Sequence, residues 1–449
     1  MRKLKLFFAA CLSLFSLFAY SAKIYVATTG KNTNKGTIDS PFLTVQRAQV
    51  AVSAGDTVYI RGGIYTMTED MIAKKEKAWA YVTYLDKSGT QGLRINYWAY
   101  PGEIPVFDYQ NVKPVGLRIN AFEVMGSYIH LKGIHVIGVQ VTLTGHTQSA
   151  CFENQGSNNI YEQLSMHDGQ AIGFYLTKGA NNLILNCDAY NNHDYTSQNK
   201  LGGNTDGFGN HPSGSTDFGN VFRGCRAWFN SDDGYDCINA KAATVFDNCW
   251  AFYNGYSTAF SSLGDGNGFK AGGYGATRLD KLPTIIPRNT IQYCLAVKNK
   301  SNGFYANHHL GGSNWYNNTA FQNGNNYNML NRKATTVTDY LTDVPGYGHV
   351  MRNNLGFNAR GQEIAKIDIA TCDLSHNYFD LPVTVNSSDF VSLDFNLLTK
   401  PRKTDGSLPD IDFMKLVPDS DLIDAGTDMG FPFNNTAPDL GYKEFIVDK

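Results

Sequence analysis

Four aspartates and one lysine near the middle of the chain recur in a pattern that could do chemistry. The segments are Asn204-Thr205-Asp206-Gly207-Phe208-Gly209, Ser231-Asp232-Asp233-Gly234-Tyr235-Asp236 and Gly266-Asn267-Gly268-Phe269-Lys270, continued by Asn302-Gly303-Phe304-Tyr305. Each carries Gly-[Phe/Tyr] followed by a variable residue. Successive side chains of a strand point to opposite faces. If Phe208, Tyr235, Phe269 and Phe304 point inward, then Asp236, Lys270 and Tyr305 point out. Asp206 and Asp233 share the bend position before glycine, with Asp232 beside them. Unpaired, these carboxylates would repel one another. A hard cation such as Ca²⁺, which takes six to eight oxygen ligands, would resolve the repulsion. The plainer alternative is a set of solvated turn aspartates, common in Gly/Asn-rich bends. For Lys270 the alternatives are a base or a surface salt bridge to Asp236, the latter worth little.

A repeat must hold these segments side by side. Ile184-Leu185-Asn186-Cys187-Asp188-Ala189 with Asn192 shares its frame with three later stretches, built on Cys225, Cys249 and Cys294 with Asn230, Asn254 and Asn299. Each reads apolar-x-x-Cys-x-Ala-x-x-Asn. Weaker copies are placed at Ile160, Gln163, Ser165 and Asp168, and at Asn318, Ala320 and Asn323, giving intervals of 24, 38, 24, 45 and 24 residues. A basic period of 24 with two insertions, short alternating strands and a recurring Asn predict an all-β, single-domain, right-handed parallel β-helix. The cysteines are expected as a buried stack of small hydrophobes, because no C-x-x-C pair suggests metal or redox chemistry. The asparagines are expected as a ladder at a turn.

Both ends read as caps. Asp39-Ser40-Pro41-Phe42 leads into a helix with Val45, Ala48 and Val52 on one face. Gly55 to Tyr65 is a turn and first strand, so the N-terminal cap covers about residues 23–65. An irregular polar C-terminal cap is expected over about 400–449. At the start, Arg2, Lys3 and Lys5 precede an apolar run from Leu6 to Ala19, then Ser21 and Ala22. This predicts an export signal over 1–22 and a β-helix domain over 23–449. Lipid anchoring at Cys11 is not expected, and the protein is expected to be secreted or periplasmic.

Composition agrees with one elongated domain. The 449 residues carry 38 Lys+Arg against 40 Asp+Glu, a net charge of −2, which excludes nucleic-acid binding through a global basic field. With 42% hydrophobic residues, disorder is excluded. No later apolar stretch approaches the roughly 20 residues of a membrane span. A monomer is expected.

The three acidic and basic segments resemble the site of polysaccharide lyase family nine, the β-helical pectate lyases. The similarity covers most of the chain beyond residue 22, including the caps and the asparagine ladder. The resemblance implies that Asp206, Asp232, Asp233 and Asp236 bind calcium and that Lys270 is the Brønsted base. Its substrates would be acidic plant cell-wall polysaccharides (pectin): polygalacturonate or the rhamnogalacturonan-I backbone. Such a lyase removes the C5 proton of a uronate and breaks the C4–O glycosidic bond by β-elimination. Calcium on the uronate carboxylate would stabilise the developing enolate-like charge and lower the lysine pKa by like-charge repulsion.

Two other readings stand beside it. Polygalacturonases are β-helices with similar N-T-D and D-D motifs, but they hydrolyse with paired carboxylates and carry Gly-His-Gly and Arg-x-Lys. His146, His211 and His349 are not flanked by glycines on both sides. A non-catalytic carbohydrate-binding solenoid leaves Lys270 unexplained. Arg288, Lys298 and Lys300, one coil beyond the site, are expected either as solvated cations or as partners of substrate carboxylates. His308 and His309 are further subsite candidates, and the insertion from Asp265 to Pro287 is expected to wall a groove.

Overall fold

The computed structural model describes residues 21–336 and 338–446. The expected export signal and Cys11 therefore lie outside the described residues, apart from Ser21 and Ala22. Three long sheets of twelve, ten and eleven strands run the length of the molecule. Apart from the antiparallel pair Lys74–Glu76 and Trp79–Leu85 at the end of the eleven-stranded sheet, strands pair in parallel with their equivalents on the next coil, as Phe222 with Phe246 and Ala227 with Ala251 do. The result is the right-handed parallel β-helix that the repeat predicts.

Two tight bends make the repeat frame. The residue before each cysteine adopts positive φ, at Asn186 (54°), Gly224 (64°), Asn248 (51°) and Tyr293 (52°). The residue before each ladder asparagine does the same, at Asn191, Phe229, Tyr253 and Lys298. Between the bends the alanine points inward from the ten-stranded sheet. Cys187, Cys225, Cys249 and Cys294 are buried and free. Each Sγ donates to a carbonyl of the preceding coil, at Tyr161, Ile184, Phe222 and Phe246. A thiol here fills a narrow bend and also satisfies a backbone acceptor.

The asparagine ladder is continuous. Asn192 donates to Asn230, Asn230 to Asn254, Asn254 to Asn299 and Asn299 to Asn323, over 2.9–3.1 Å. The ladder dictates the neighbouring glycines. A Cβ on Gly234 would lie 2.8 Å from Asn254 Nδ2, 3.0 Å from Ala251 Cβ and 2.7 Å from the Gly268 carbonyl oxygen. Gly268 meets Asn299, Ala296 and Gly303 in the same way. Ala, Asn and Gly thus recur together because they share one crowded corner of the coil.

One expectation needs correcting. The upstream weak copy is displaced by one residue: Tyr161, not Ile160, pairs with Ile184, and Met166 pairs with Ala189. A one-residue slip exchanges the faces of a strand. Tyr161 can face inward because its hydroxyl donates to Asn154 Oδ1 at 2.6 Å.

The helix Val45–Ala51 closes the N-terminal end, with Thr44 capping it by accepting from the Arg47 N–H. Val45, Ala48 and Val52 join the main core, which extends from Ile24 to Met351. The irregular C-terminal segment begins earlier than residue 400 and lies along one flank. Its Phe390, Leu398, Phe413, Leu416, Leu422 and Leu440 pack with Trp250, Phe252, Leu295, Val297 and Phe321 on the outer face of the ten-stranded sheet. The eleven-stranded sheet keeps its outer face for the site.

Candidate active site

The strands Phe208–Asn210, Tyr235–Asp236, Phe269–Lys270 and Asn302–Tyr305 are consecutive neighbours in the eleven-stranded sheet. Phe208, Tyr235, Phe269 and Phe304 stack inside the coil with centroids 4.6–5.1 Å apart. That stack fixes the register, so Gly209, Asp236, Lys270 and Tyr305 fall opposite one another on the outer face.

Lys270 is 8% exposed although it points outward, because acids surround it. Its Nζ lies 3.1 Å from Asp233 Oδ2 and 3.3 Å from Asp236 Oδ2. This is a buried ion cluster and not the weak surface pair that strand alternation alone would suggest. Asp233 Oδ1 accepts from the backbone N–H and Nδ2 of Asn267, at 2.6 and 2.8 Å. Asp233 Oδ2 makes its close ionic contact with Lys270 but no well-aligned hydrogen bond. Asp206 Oδ1 accepts from the Asp233 N–H, and Asp236 Oδ1 from the Ile238 N–H.

The carboxylates form two overlapping groups. Asp206, Asp233 and Asp236 offer oxygens within 4.8 Å of one another, and Asp232, Asp233 and Asp265 do likewise. Burial, then repulsion from neighbouring carboxylates, pushes Asp206 and Asp232 well above the usual carboxyl range. Burial raises Asp233 too, although Lys270 opposes it. At Asp236 burial also disfavours charge, but Lys270 and His211 outweigh it and bring the carboxyl down to about 2. Burial opposes charge on Lys270, and Asp233, Asp236, Asp232 and Asp206 together overcome it, holding the ammonium well above its usual range. The cluster thus has more negative charge than one lysine neutralises, and every donor is a carboxylate oxygen. That donor set fits a hard divalent cation and not Zn²⁺, which favours Cys and His.

The structure brings Asp206, Asp232, Asp233, Asp236 and Lys270 together, and engages the other expected cations with carbonyls and rings of the protein itself. Arg288 donates to the Gly311 and Gly348 carbonyls at 2.9 and 2.8 Å, tying two turns together. Lys298 sits at a positive-φ bend with Nζ over the rings of Phe260 and Phe395. Lys300 Nζ donates to the Leu263 and Gly264 carbonyls. Lys300 thereby borders the acidic cluster through Gly264 and Asp265, whereas Arg288 and Lys298 serve other flanks of the coil. His309 is buried with Nε2 2.6 Å from the Pro287 carbonyl oxygen, which anchors the end of the Asp265–Pro287 insertion. His308 pairs with Asp343 at 3.0 Å.

Two residues near the cluster escape the sequence pattern. Asp265 precedes Gly266, but that glycine is followed by Asn267 and not by an aromatic residue, so the Gly-[Phe/Tyr] pattern passes over it. His211 Nε2 lies 3.8 Å from Asp236 Oδ2. It is two residues beyond Gly209, on the same face by strand alternation. Further along this face, Glu123 and Glu153 are buried around the amide of Asn120, and burial plus its partner pushes Glu123 up to about 9.

Comparison with known proteins places this geometry. A family model described as "Pel9A-like, right handed beta helix region" matches residues 24–358. The chain is 32% identical to pectate lyase L of Dickeya dadantii (strain 3937) over 93% of its own length and 89% of the relative's. A solved rhamnogalacturonan lyase is 45% identical, with a TM-score of 0.85, covering 88% of this chain and 97% of that one. Pectate lyase Pel9A, a second solved structure, is 31% identical with a TM-score of 0.75, covering 95% and 97%.

Proposed function

This chain belongs to the Pel9A-like right-handed β-helix family and is a pectic polysaccharide lyase, and from that premise we propose calcium-dependent β-elimination with Lys270 as the base. The observation that carries the reading is the placement of Lys270 Nζ 3.1 and 3.3 Å from two members of an all-oxygen acidic cluster, on an outward face one coil from Asp236. Asp206, Asp232, Asp233 and Asp236 would hold the calcium, and Asp265 borders them. When bound, calcium supplies positive charge to a uronate carboxylate and so stabilises the negative charge that develops as C5 loses its proton.

The remaining work falls to the protein's own groups. Asp233 and Asp236 fix the position of Lys270. The inward stack beneath them keeps the strand from shifting. Neutral Lys270 Nζ takes the C5 proton, the C–H electrons form the C4–C5 double bond, and the C4–O bond breaks with its electrons on the leaving sugar. Water is not a reactant, which separates this reaction from hydrolysis by a carboxylate pair.

Within the pectic polymers we propose the rhamnogalacturonan-I backbone as the preferred substrate. The 45% identity to a rhamnogalacturonan lyase, against 31% to Pel9A, supports it. So does the engagement of Arg288 and Lys298 away from the acidic face, which suits a polymer whose uronates alternate with neutral sugars. Export is proposed from the charged and apolar leader pattern of residues 2–22, and no helix among the described residues is long and apolar enough to cross a membrane.

Purified rhamnogalacturonan I and polygalacturonate, incubated separately with enzyme and calcium, test both levels. Ultraviolet-absorbing unsaturated products, faster from rhamnogalacturonan I, are expected. Reducing ends without that absorbance would overturn elimination; faster release from polygalacturonate would overturn the substrate preference alone.

A further inference from the structure

His211 occupies a position that five neighbours prepare. It follows the strand Phe208–Asn210 and precedes Pro212, which biases it toward extended backbone. Its N–H donates to the Leu176 carbonyl at 2.8 Å, continuing the ladder by one residue. Asn210 turns inward, where its amide donates to Thr244 Oγ1 at 3.0 Å, so His211 turns outward beside Asp236.

The fourth neighbour is Tyr175, one coil earlier, whose Oη lies 3.1 Å from His211 Nδ1 with the rings edge to face at 5.2 Å. The fifth is Gly209, between them. A Cβ there would sit 2.7 Å from Tyr175 Cδ2 and 3.0 Å from Cε2, so any side chain would push the phenol ring off the strand. Gly209 is thus the residue that lets Tyr175 lean across and reach the imidazole. Burial holds the Tyr175 phenol well above its usual range, so it remains a hydrogen donor. The Asp236 carboxylate on the other side of the ring only accepts, so a neutral imidazole carries its hydrogen on Nε2 and leaves Nδ1 to accept from the Tyr175 hydroxyl. That Nε2 is buried, has no hydrogen-bond partner and lies 3.8 Å from Asp236 Oδ2.

We propose that His211 is a positioning residue for Asp236: Tyr175 locks its Nε2–H tautomer, and that N–H, 3.8 Å from Oδ2 without calcium, closes to a hydrogen bond that steadies the carboxylate when the acidic cluster takes up the cation. The inference rests on the calcium reading above and assigns the Gly209–Tyr175–His211 arrangement to it. Side chains that hydrogen-bond a metal's ligands from behind commonly control affinity by 10- to 100-fold.

Calorimetric calcium titration of the whole protein tests this without relying on turnover. His211→Phe keeps a ring but no donor, and should weaken calcium binding by roughly 10- to 100-fold. His211→Gln places an amide N–H at similar reach and should recover affinity to within a few-fold of wild type. Tyr175→Phe releases the tautomer lock, should weaken binding less than His211→Phe, and keeps the test open if His211→Phe fails to fold. Wild-type affinity in both His211→Phe and Tyr175→Phe would overturn the proposal while leaving the calcium site intact. Wild-type protein that binds no calcium would overturn this proposal and the calcium reading together.

Discussion

Asn267 stands in the register position of Asp233 one coil further along and donates to it twice, from its backbone N–H at 2.6 Å and from Nδ2 at 2.8 Å. The column continues as amides, with Asn302 Nδ2 donating to Asn267 at 2.7 Å and Asn325 Nδ2 to Asn302 at 2.9 Å. One turn position is therefore acidic on two coils and amidic on the next three, and the change of chemistry marks the edge of the site. A carboxylate at position 267 would face Asp233 without donating to it from its side chain.

Asn267→Asp should accordingly lower stability in chelator by about 2 kcal/mol or more, since it removes a donor and adds a like charge in a buried place. Asn267→Ala should cost less, because the backbone N–H remains. Denaturant unfolding of both variants with chelator present checks the order. An aspartate variant as stable as wild type would show that the column does not hold Asp233.

The acidic cluster also sets a pH dependence. Asp206, Asp232 and Asp233 are raised in the folded chain, by burial first, so folding without calcium takes up protons at them. Their contribution is most favourable below the ordinary carboxyl range and is lost as pH rises through their raised values. A cation competes with those protons, so the gain in melting temperature on adding calcium should grow from pH 4 to pH 7. At a hundredfold excess over Kd the stabilisation free energy approaches about 2.7 kcal/mol. A calcium-induced shift of equal size at both pH values would exclude these carboxyls as ligands.

Much of this architecture was legible before the structure because a coil repeats its geometry. Cys, Ala and Asn recur in one frame because each occupies the same corner, and strand alternation alone puts Asp236 beside Lys270. The weak copy at residues 160–168 misled because Ile160 is the more apolar of two adjacent candidates, whereas the inward Tyr161 depends on a hydroxyl partner at Asn154. His211 lies on the correct face by period two, but no local pattern signals that Tyr175, 36 residues earlier, leans over Gly209 to meet it. Arg288, Lys298 and Lys300 follow the site in sequence, yet a one-coil offset does not specify which flank a side chain serves. The C-terminal segment has no period, so its route along the flank was not readable.

That route depends on one carboxylate. Asp188 receives Arg226 at 2.9 and 2.8 Å and Arg402 at 3.1 and 2.6 Å, joining the ten-stranded sheet to the C-terminal segment. Burial opposes its ionisation, and the two guanidiniums overcome it. Asp188→Asn would leave two arginines facing each other and should cost about 3–5 kcal/mol. It should also make the segment beyond residue 380 more susceptible to limited proteolysis. Turnover under conditions where the variant is folded should be unchanged, because the site lies on a different sheet. Stability within about 0.5 kcal/mol of wild type would show that the apolar flank contacts suffice.

The sharpest test concerns Lys270. As the base it must act in its neutral form, while the four aspartates hold it charged in the calcium-free chain. Bound calcium would offset that negative field, and activity should still rise toward alkaline pH as the neutral fraction grows. Lys270→Ala should remove nearly all turnover and leave the inward Phe269 stack undisturbed, since the two side chains point to opposite faces. It also leaves Asp233 and Asp236 without their cation, so its calcium affinity should rise and not fall. Lys270→Arg separates charge from proton transfer, because a guanidinium keeps the positive charge but does not deprotonate at any accessible pH. If Lys270 served only to neutralise Asp233 and Asp236, arginine would retain much of the rate. As the base, it should leave arginine nearly as inactive as alanine from pH 6 to pH 10, with the calcium titration confirming that the cluster still binds. Substantial turnover by Lys270→Arg would transfer the base role to another group, and the tautomer assigned to His211 carries its proton toward Asp236, leaving that histidine poorly placed to accept one there.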